Sequence, residues 1–216
     1  MAKKKALIMS ILNQKGGVGK TTIATNLAHG LQLKGVNVLL ADGDPQATAR
    51  KWHEANDAML IPCLGMDRVT LAADLNAVSS HYDLIIIDGA PQITRLSALA
   101  IGVSDVILIP VQPSDFDIWS TVGIVDLIKH RREVTDGTPL CAFIISRLIK
   151  NTKLSREIGP DLTEFEIPIL ESTISQRVAY IEAGQRGESV FCDGSTLASA
   201  EFSLLVDEVI SKYLNI

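Results

Sequence analysis

At 216 residues the chain is long enough to bury its own core without disulfide or metal staples, and a single domain over 1–216 is expected. Apolar residues make up 47% and charged residues 21%, as in soluble globular proteins, and no apolar run approaches the ~20 residues of a membrane span. A net charge of −5 argues against coating nucleic acid with the whole surface, while leaving room for a local basic patch.

The start, Met1-Ala2-Lys3-Lys4-Lys5-Ala6, is basic and runs into apolar residues as a signal peptide does. Asn13, Gln14 and Lys15 then break the run and no small-residue cleavage site follows, so a cytoplasmic protein is expected. Ala6 to Leu12 reads as a buried strand, and Ala24, Leu27, Ala28 and Leu31 at i, i+3, i+4, i+7 read as a helix starting at about Lys20. Gly35 ends that helix. Further strands are expected at 37–41, 83–87, 106–110 and 140–146, with a shorter one at 167–170. Helices are expected near 45–57, 70–80, 94–103, 117–134, 152–165, 176–184 and 196–214. Continuous rather than alternating apolar strands need cover on both faces, so the fold class is α/β, with a doubly wound, mostly parallel β-sheet flanked by helices. Trp52 and Trp119 are expected to pack near helix starts. Cys63, Cys141 and Cys192 are widely spaced, with no Cys-x-x-Cys, and read as buried free thiols.

Between the first strand and the first helix lies Asn13-Gln14-Lys15-Gly16-Gly17-Val18-Gly19-Lys20-Thr21-Thr22, a phosphate loop in which Lys15 occupies the first glycine position. Gly16, Gly17 and Gly19 allow backbone conformations closed to other residues, so that N–H groups, including that of Val18, can close around phosphate oxygens. The helix adds the free N–H groups of its first turn and its positive dipole end. Lys20 would reach the β- and γ-phosphates, and the Thr21 hydroxyl would ligate Mg²⁺ beside Thr22. The bland reading is a glycine turn before a helix; the strand and helix flanks favour the nucleotide.

Ligands of such sheets bind outside the carboxyl ends of the strands. Two strands end there in acids: Ala41-Asp42-Gly43-Asp44-Pro45-Gln46 and Ile87-Asp88-Gly89-Ala90-Pro91. Carboxylates beside a phosphate loop call for a cation, and Mg²⁺ prefers oxygen ligands while keeping several waters. Asp42 and Asp88 are therefore candidate metal residues, and Asp44 a candidate for orienting the attacking water. Asp44-Pro45 could also cap the next helix, and both roles can hold together.

These motifs together resemble the ParA/MinD family of deviant Walker A ATPases: Lys15 to Thr22, Asp42-Gly43-Asp44-Pro45-Gln46 and Asp88-Gly89-Ala90. Ile109-Pro110-Val111-Gln112-Pro113-Ser114, Ile145-Ser146-Arg147, Ile174 to Tyr180 and Gly187 to Phe191 look most like small ParF-type plasmid partition proteins. The resemblance implies a P-loop NTPase fold, ATP and Mg²⁺ as cofactors, and weak ATPase activity. It implies that Lys15 reaches the partner's phosphates across an ATP-sandwich homodimer, and that Pro113 and Arg147 contact the base. Relatives often carry a bulkier residue at Gly43, so local loosening is expected there.

The resemblance further implies non-specific double-stranded DNA and a small centromere-binding, ParB/ParG-like protein as partners, at the nucleoid. Candidate phosphate contacts are Lys150, Lys153, Arg156, Arg177 and Arg186, with Lys129, His130, Arg131 and Arg132; singly, each reads better as a solvated helix face. A membrane tail would be basic and amphipathic, whereas 202–216 is apolar at helical spacing with only Lys212, so packing on the core and no membrane partner are expected. Plasmid segregation is the first functional expectation. The alternatives are a nucleotide-dependent scaffold or filament, and positioning of a cargo such as a chemoreceptor cluster or microcompartment.

Overall fold

The computed structural model describes residues 5–92 and 95–214, with the side chains of 155–157 set aside. Its strands are β1 (Leu7–Ile11), β2 (Val38–Asp42), β3 (Cys63–Gly65), β4 (Leu84–Asp88), β5 (Val106–Val111) and β6 (Leu140–Ile145). Its helices are α1 (Lys20–Leu33), α2 (Thr48–Glu54), α3 (Leu71–Val78), α4 (Arg95–Val103), α5 (Asp115–Glu133), α6 (Lys153–Thr163), α7 (Val178–Gln185) and α8 (Leu197–Tyr213). The expected helix start at residue 94 lies outside the described residues.

The sheet runs β3-β2-β4-β1-β5-β6, with every pairing parallel. Every residue of β2, β4 and β5 is buried, because both faces are covered. Successive β4 side chains alternate between two cores. Leu84 and Ile86 face Leu27, Trp52, Phe202 and Leu205 of α1, α2 and α8. Ile85 and Ile87 face Leu71, Ile101, Ile124 and Leu162 of α3 to α6. β1 sits between β4 and β5, where the winding reverses, and its carboxyl end therefore opens into the crevice in which such sheets hold ligands.

Several expectations need correcting. β3 was not expected: three residues ending in glycine give too short an apolar pattern, yet Cys63, Leu64 and Gly65 pair with Leu40, Ala41 and Asp42. Residues 167–170 form only a bridge between Ile169 and Phe143, since Pro168 can accept the Phe143 amide but has no N–H to return. α2 begins at Thr48 after Ala47 in a left-handed conformation (φ 57°), so Asp44-Pro45 does not cap it. Trp52 is buried and donates to the Glu188 carbonyl at 2.9 Å, but Trp119 is 65% exposed beside Phe116. Only Cys141 is a buried thiol; Cys63 is half-buried and Cys192 exposed.

Gly43 is tightly held rather than loose. Its N–H donates to the Asp88 carbonyl at 2.9 Å, and a Cβ there would lie 3.2 Å from that oxygen. The C-terminal helix packs as expected, with Phe202, Leu205, Val206 and Val209 buried. No helix among the described residues is long and apolar enough to cross a membrane.

Candidate functional site

Between β1 and α1 the loop is braced from several sides. Asn13 donates to the Pro110 carbonyl at 2.7 Å and accepts the Lys15 amide at 3.0 Å, while Gln14 donates to the Ser120 carbonyl of α5. Gly17 (φ 76°) and Gly19 (φ 93°) need left-handed backbone; Gly16 is not among the positive-φ residues. Val18 is buried. Its carbonyl accepts the Ser146 hydroxyl at 2.7 Å, and the Gly17 carbonyl accepts Arg147 at 2.9 Å and Gln112 at 3.2 Å. With those carbonyls taken, the N–H groups of Gly16, Gly17, Val18 and Gly19 have no acceptor among the described residues. That is the arrangement an anion fills.

Lys20 is buried, with its ammonium donating to the Lys15 carbonyl at 2.9 Å. Burial lowers its pKa, and the nearby Asp88 and Asp44 charges oppose that drop. Thr21 donates its hydroxyl to Asp88 Oδ2 at 2.6 Å, beside Thr22 on the rim of the loop. Asp88 is fully buried, and its second oxygen, Oδ1, has no hydrogen-bond partner among the described residues. Burial pushes its carboxyl up to about 7; Asp42 and Asp44 add to the rise, and the Thr21 hydrogen bond and Lys20 resist it. An orphaned carboxylate oxygen next to a threonine hydroxyl fits Mg²⁺, which takes one or two protein oxygens and keeps its waters.

The structure places Asp42 elsewhere than at a metal. Its Oδ1 accepts the Asp44 amide at 3.0 Å, and its Oδ2 accepts the Arg50 amide at 2.9 Å and the Arg50 guanidinium at 3.3 Å. Both oxygens are thus spent on anchoring the loop, with Asp67 holding the far end of Arg50 at 2.9 Å. Asp44 is buried, and its Oδ1 accepts the Gln46 amide at 2.9 Å; Oδ2 has no partner among the described residues. Lys15 pairs within its own chain, at 2.7 Å from Asp117 in the first turn of α5. Asp117 is buried and its Oδ1 has no hydrogen-bond partner among the described residues. Sequence reasoning missed this partner because an acid in a first helical turn is commonplace.

Beside Gly17 and Gly19 a cavity of about 410 Å³ opens between Arg147 and residues 174–178, with Tyr180 and Ile181. Arg147 lines it and adopts a left-handed backbone (φ 51°), which costs a non-glycine residue about 1 kcal/mol. Pro113 does not line it; its neighbour Gln112 donates to the Gly17 carbonyl, and α5 beyond it meets Gln14 and Lys15.

The candidate DNA contacts are largely engaged in other pairs. Lys150 and Arg177 pair with Glu201, and Arg186 with Glu188 and Asp193. Lys129 lies 4.0 Å from Glu166, and Arg131 and Arg132 donate to the Gly102 and Gly137 carbonyls. His130 meets the Asp126 carbonyl, and Lys153 is not free either. The side chain of Arg156 lies outside the described residues.

Asp88 gives a test of the site without ligand. Its folded value near 7 lies above the ordinary 3.8, so between those pH values the folded chain holds a proton that the unfolded chain has lost. Its contribution to stability is present below the lower value and is lost as pH rises through the upper one. The thermal midpoint of the nucleotide-free protein is therefore expected to fall between about pH 4 and pH 7, and Asp88→Asn should flatten that fall. Parallel profiles for the two proteins would remove Asp88 as the buried acid.

Comparison with known proteins fits this geometry. Residues 9–190 match the family model described as the CobQ/CobB/MinD/ParA nucleotide binding domain. A curated relative, maintenance of carboxysome distribution protein A of Halothiobacillus neapolitanus, is 30% identical over 97% of this chain and 99% of its own. The chromosome-partitioning ATPase Soj of Thermus thermophilus is 24% identical, covering 98% of both chains. Among solved structures, a Cyanothece McdA variant in complex with ATP superposes with a TM-score of 0.77 at 20% identity, over 95% of this chain and 97% of that one.

Proposed function

The chain belongs to the CobQ/CobB/MinD/ParA nucleotide-binding family, and from that membership we propose that it is a weak ATPase whose ATP-bound homodimer positions a cargo along non-specific DNA. The observation that supports this reading most is Lys15, a cation built into the phosphate loop and half-exposed at its surface. A lysine supplied to the partner's phosphates stabilises transition-state charge as an arginine finger does, and makes catalysis depend on dimerisation.

The remaining roles are assigned on the same reading, with the geometry in its support. The Gly16–Gly19 amides and the start of α1 cradle the phosphates, with Lys20 against the β- and γ-oxygens. Thr21 and the free oxygen of Asp88 would hold Mg²⁺, which supplies charge neutralisation at the transferring phosphoryl group. Asp44, fixed by Gln46 at one oxygen, has the other available to orient a water. The cavity at Arg147 receives the base.

For the cargo, the 30% likeness to a carboxysome distribution protein supports a protein-bodied load over the plasmid expected first. A partner bound to that load would trigger hydrolysis and so release the dimer from DNA. Molar mass in solution tests the first step: with Mg²⁺ and ATP the 216-residue chain should run as a dimer, and with ADP or no nucleotide as a monomer. A mass indifferent to nucleotide would sink the reading.

A further inference from the structure

Glu201 lies in α8, outside the lining of the cavity, yet its carboxylate gathers the wall of that cavity. It accepts the Ser175 amide at 3.1 Å and hydroxyl at 2.7 Å, the Arg177 guanidinium at 3.2 and 2.6 Å, and the Tyr180 phenol at 2.8 Å. Lys150 approaches the same oxygen as Arg177, at 3.4 Å. All but Lys150 belong to the cavity wall.

Ile174 and Tyr180 anchor the two ends of that wall in the core, Tyr180 edge-on against Phe202, and Glu201 ties the polar stretch between them. Residues 174–177 belong to no strand. Their backbone ties are the Ile174 amide on the Ile145 carbonyl, the Gln176 amide on the Leu148 carbonyl, and the return bond from Leu148 to Ile174. Only at Val178 does helix α7 begin. Val178 and Ile181 line the cavity and are 65% and 62% exposed, an apolar surface open to it.

We propose that Glu201 is a positioning residue for nucleotide recognition: it locks Ser175–Tyr180 so that Val178 and Ile181 present an apolar face to a purine base. The proposal rests on the nucleotide reading of the phosphate loop. It also accounts for Arg177 and Lys150, whose charge is absorbed in holding this wall. Burial alone would raise the Glu201 carboxyl, but the donors from Arg177, Ser175 and Tyr180 hold it at about 2, so the bonds are charge-assisted throughout the neutral range. Glu201 touches no residue of the loop itself, so its loss should be felt at the base and not at the phosphates.

The test is titration calorimetry of the full chain with Mg²⁺ and either ATP or inorganic triphosphate. Glu201→Gln should weaken ATP roughly tenfold or more, the worth of a lost charge-assisted contact, and leave triphosphate within about twofold. Arg177→Gln, which removes the principal donor from the other side, should repeat that split if Glu201→Gln does not fold. ATP affinity within about twofold of the parent in both variants, or a triphosphate loss equal to the ATP loss, would overturn the proposal. A parent protein that binds neither ligand overturns the nucleotide reading itself, an outcome distinct from either.

Discussion

Lys15→Ala is expected to lower ATP turnover on the order of a thousandfold and to abolish the ATP-dependent dimer, while monomers still bind ATP. Binding should survive because, on the proposed reading, Lys20, the loop amides and Thr21 would contact the nucleotide in cis, whereas Lys15 would act in trans. The variant needs a control, because Lys15 also neutralises Asp117. Removing the lysine leaves a buried carboxylate with Oδ1 already unpartnered and no cation beside it, which costs stability. The double variant Lys15→Ala/Asp117→Asn removes that stray charge. It should regain the parent's thermal midpoint without regaining turnover or the dimer. Turnover restored in the double variant would mean that Lys15 serves only to satisfy Asp117. The same ion pair gives Lys15 two claims on its charge: it must leave Asp117 to reach a partner's phosphates, so Asp117→Asn alone should favour dimerisation at lower ATP.

Asp44→Ala is expected to reduce turnover about a hundredfold or more while leaving a long-lived ATP dimer. The separation of effects follows from how the loop is built. Asp42, Arg50 and Asp67 hold the backbone of 42–50, and Asp44 contributes only its bond to the Gln46 amide and its free oxygen. Deleting the side chain therefore removes a water-orienting group without unmaking the loop. Single-turnover hydrolysis beside dimer lifetime measures the two quantities separately. Rapid turnover would take Asp44 out of the chemistry; a dimer that fails to form would assign it to assembly instead. Arg50→Ala makes a useful contrast, since it frees Asp42 as a buried charge and should cost stability as well as rate.

Much of this arrangement was legible in the chain, for reasons of distance along it. β1, the loop and α1 are contiguous, so a buried strand, glycine punctuation and a 3.6-residue period declare the phosphate site locally. Asp42, Asp44 and Asp88 were found because strands of a parallel sheet end on one side. What stayed hidden depends on contacts between remote residues. Asp117 meets Lys15 across 102 positions, and Glu201 meets Ser175 across 26, and neither acid stands out in its own helix. Asp42 looked like a metal residue from its strand end; only the chain's turn into α2 brings the Arg50 amide and guanidinium onto it. β3 escaped because it is three residues long at the sheet edge. Trp119 was expected to pack near a helix start, but α5 turns Ile118, Thr121 and Val125 to the core and leaves Phe116 and Trp119 outside. Arg177 and Arg186 read as candidate DNA contacts from their charge and the family resemblance, and the fold gives each a carboxylate partner.

The most direct test of the account is binding to non-specific double-stranded DNA without nucleotide, with ADP and with ATP, each over a salt series. Tight binding is expected only with ATP, falling steeply with salt at a slope of about 0.9 per phosphate contact. Equal binding in all three states, or none in any, would contradict an ATP-gated DNA-positioning switch.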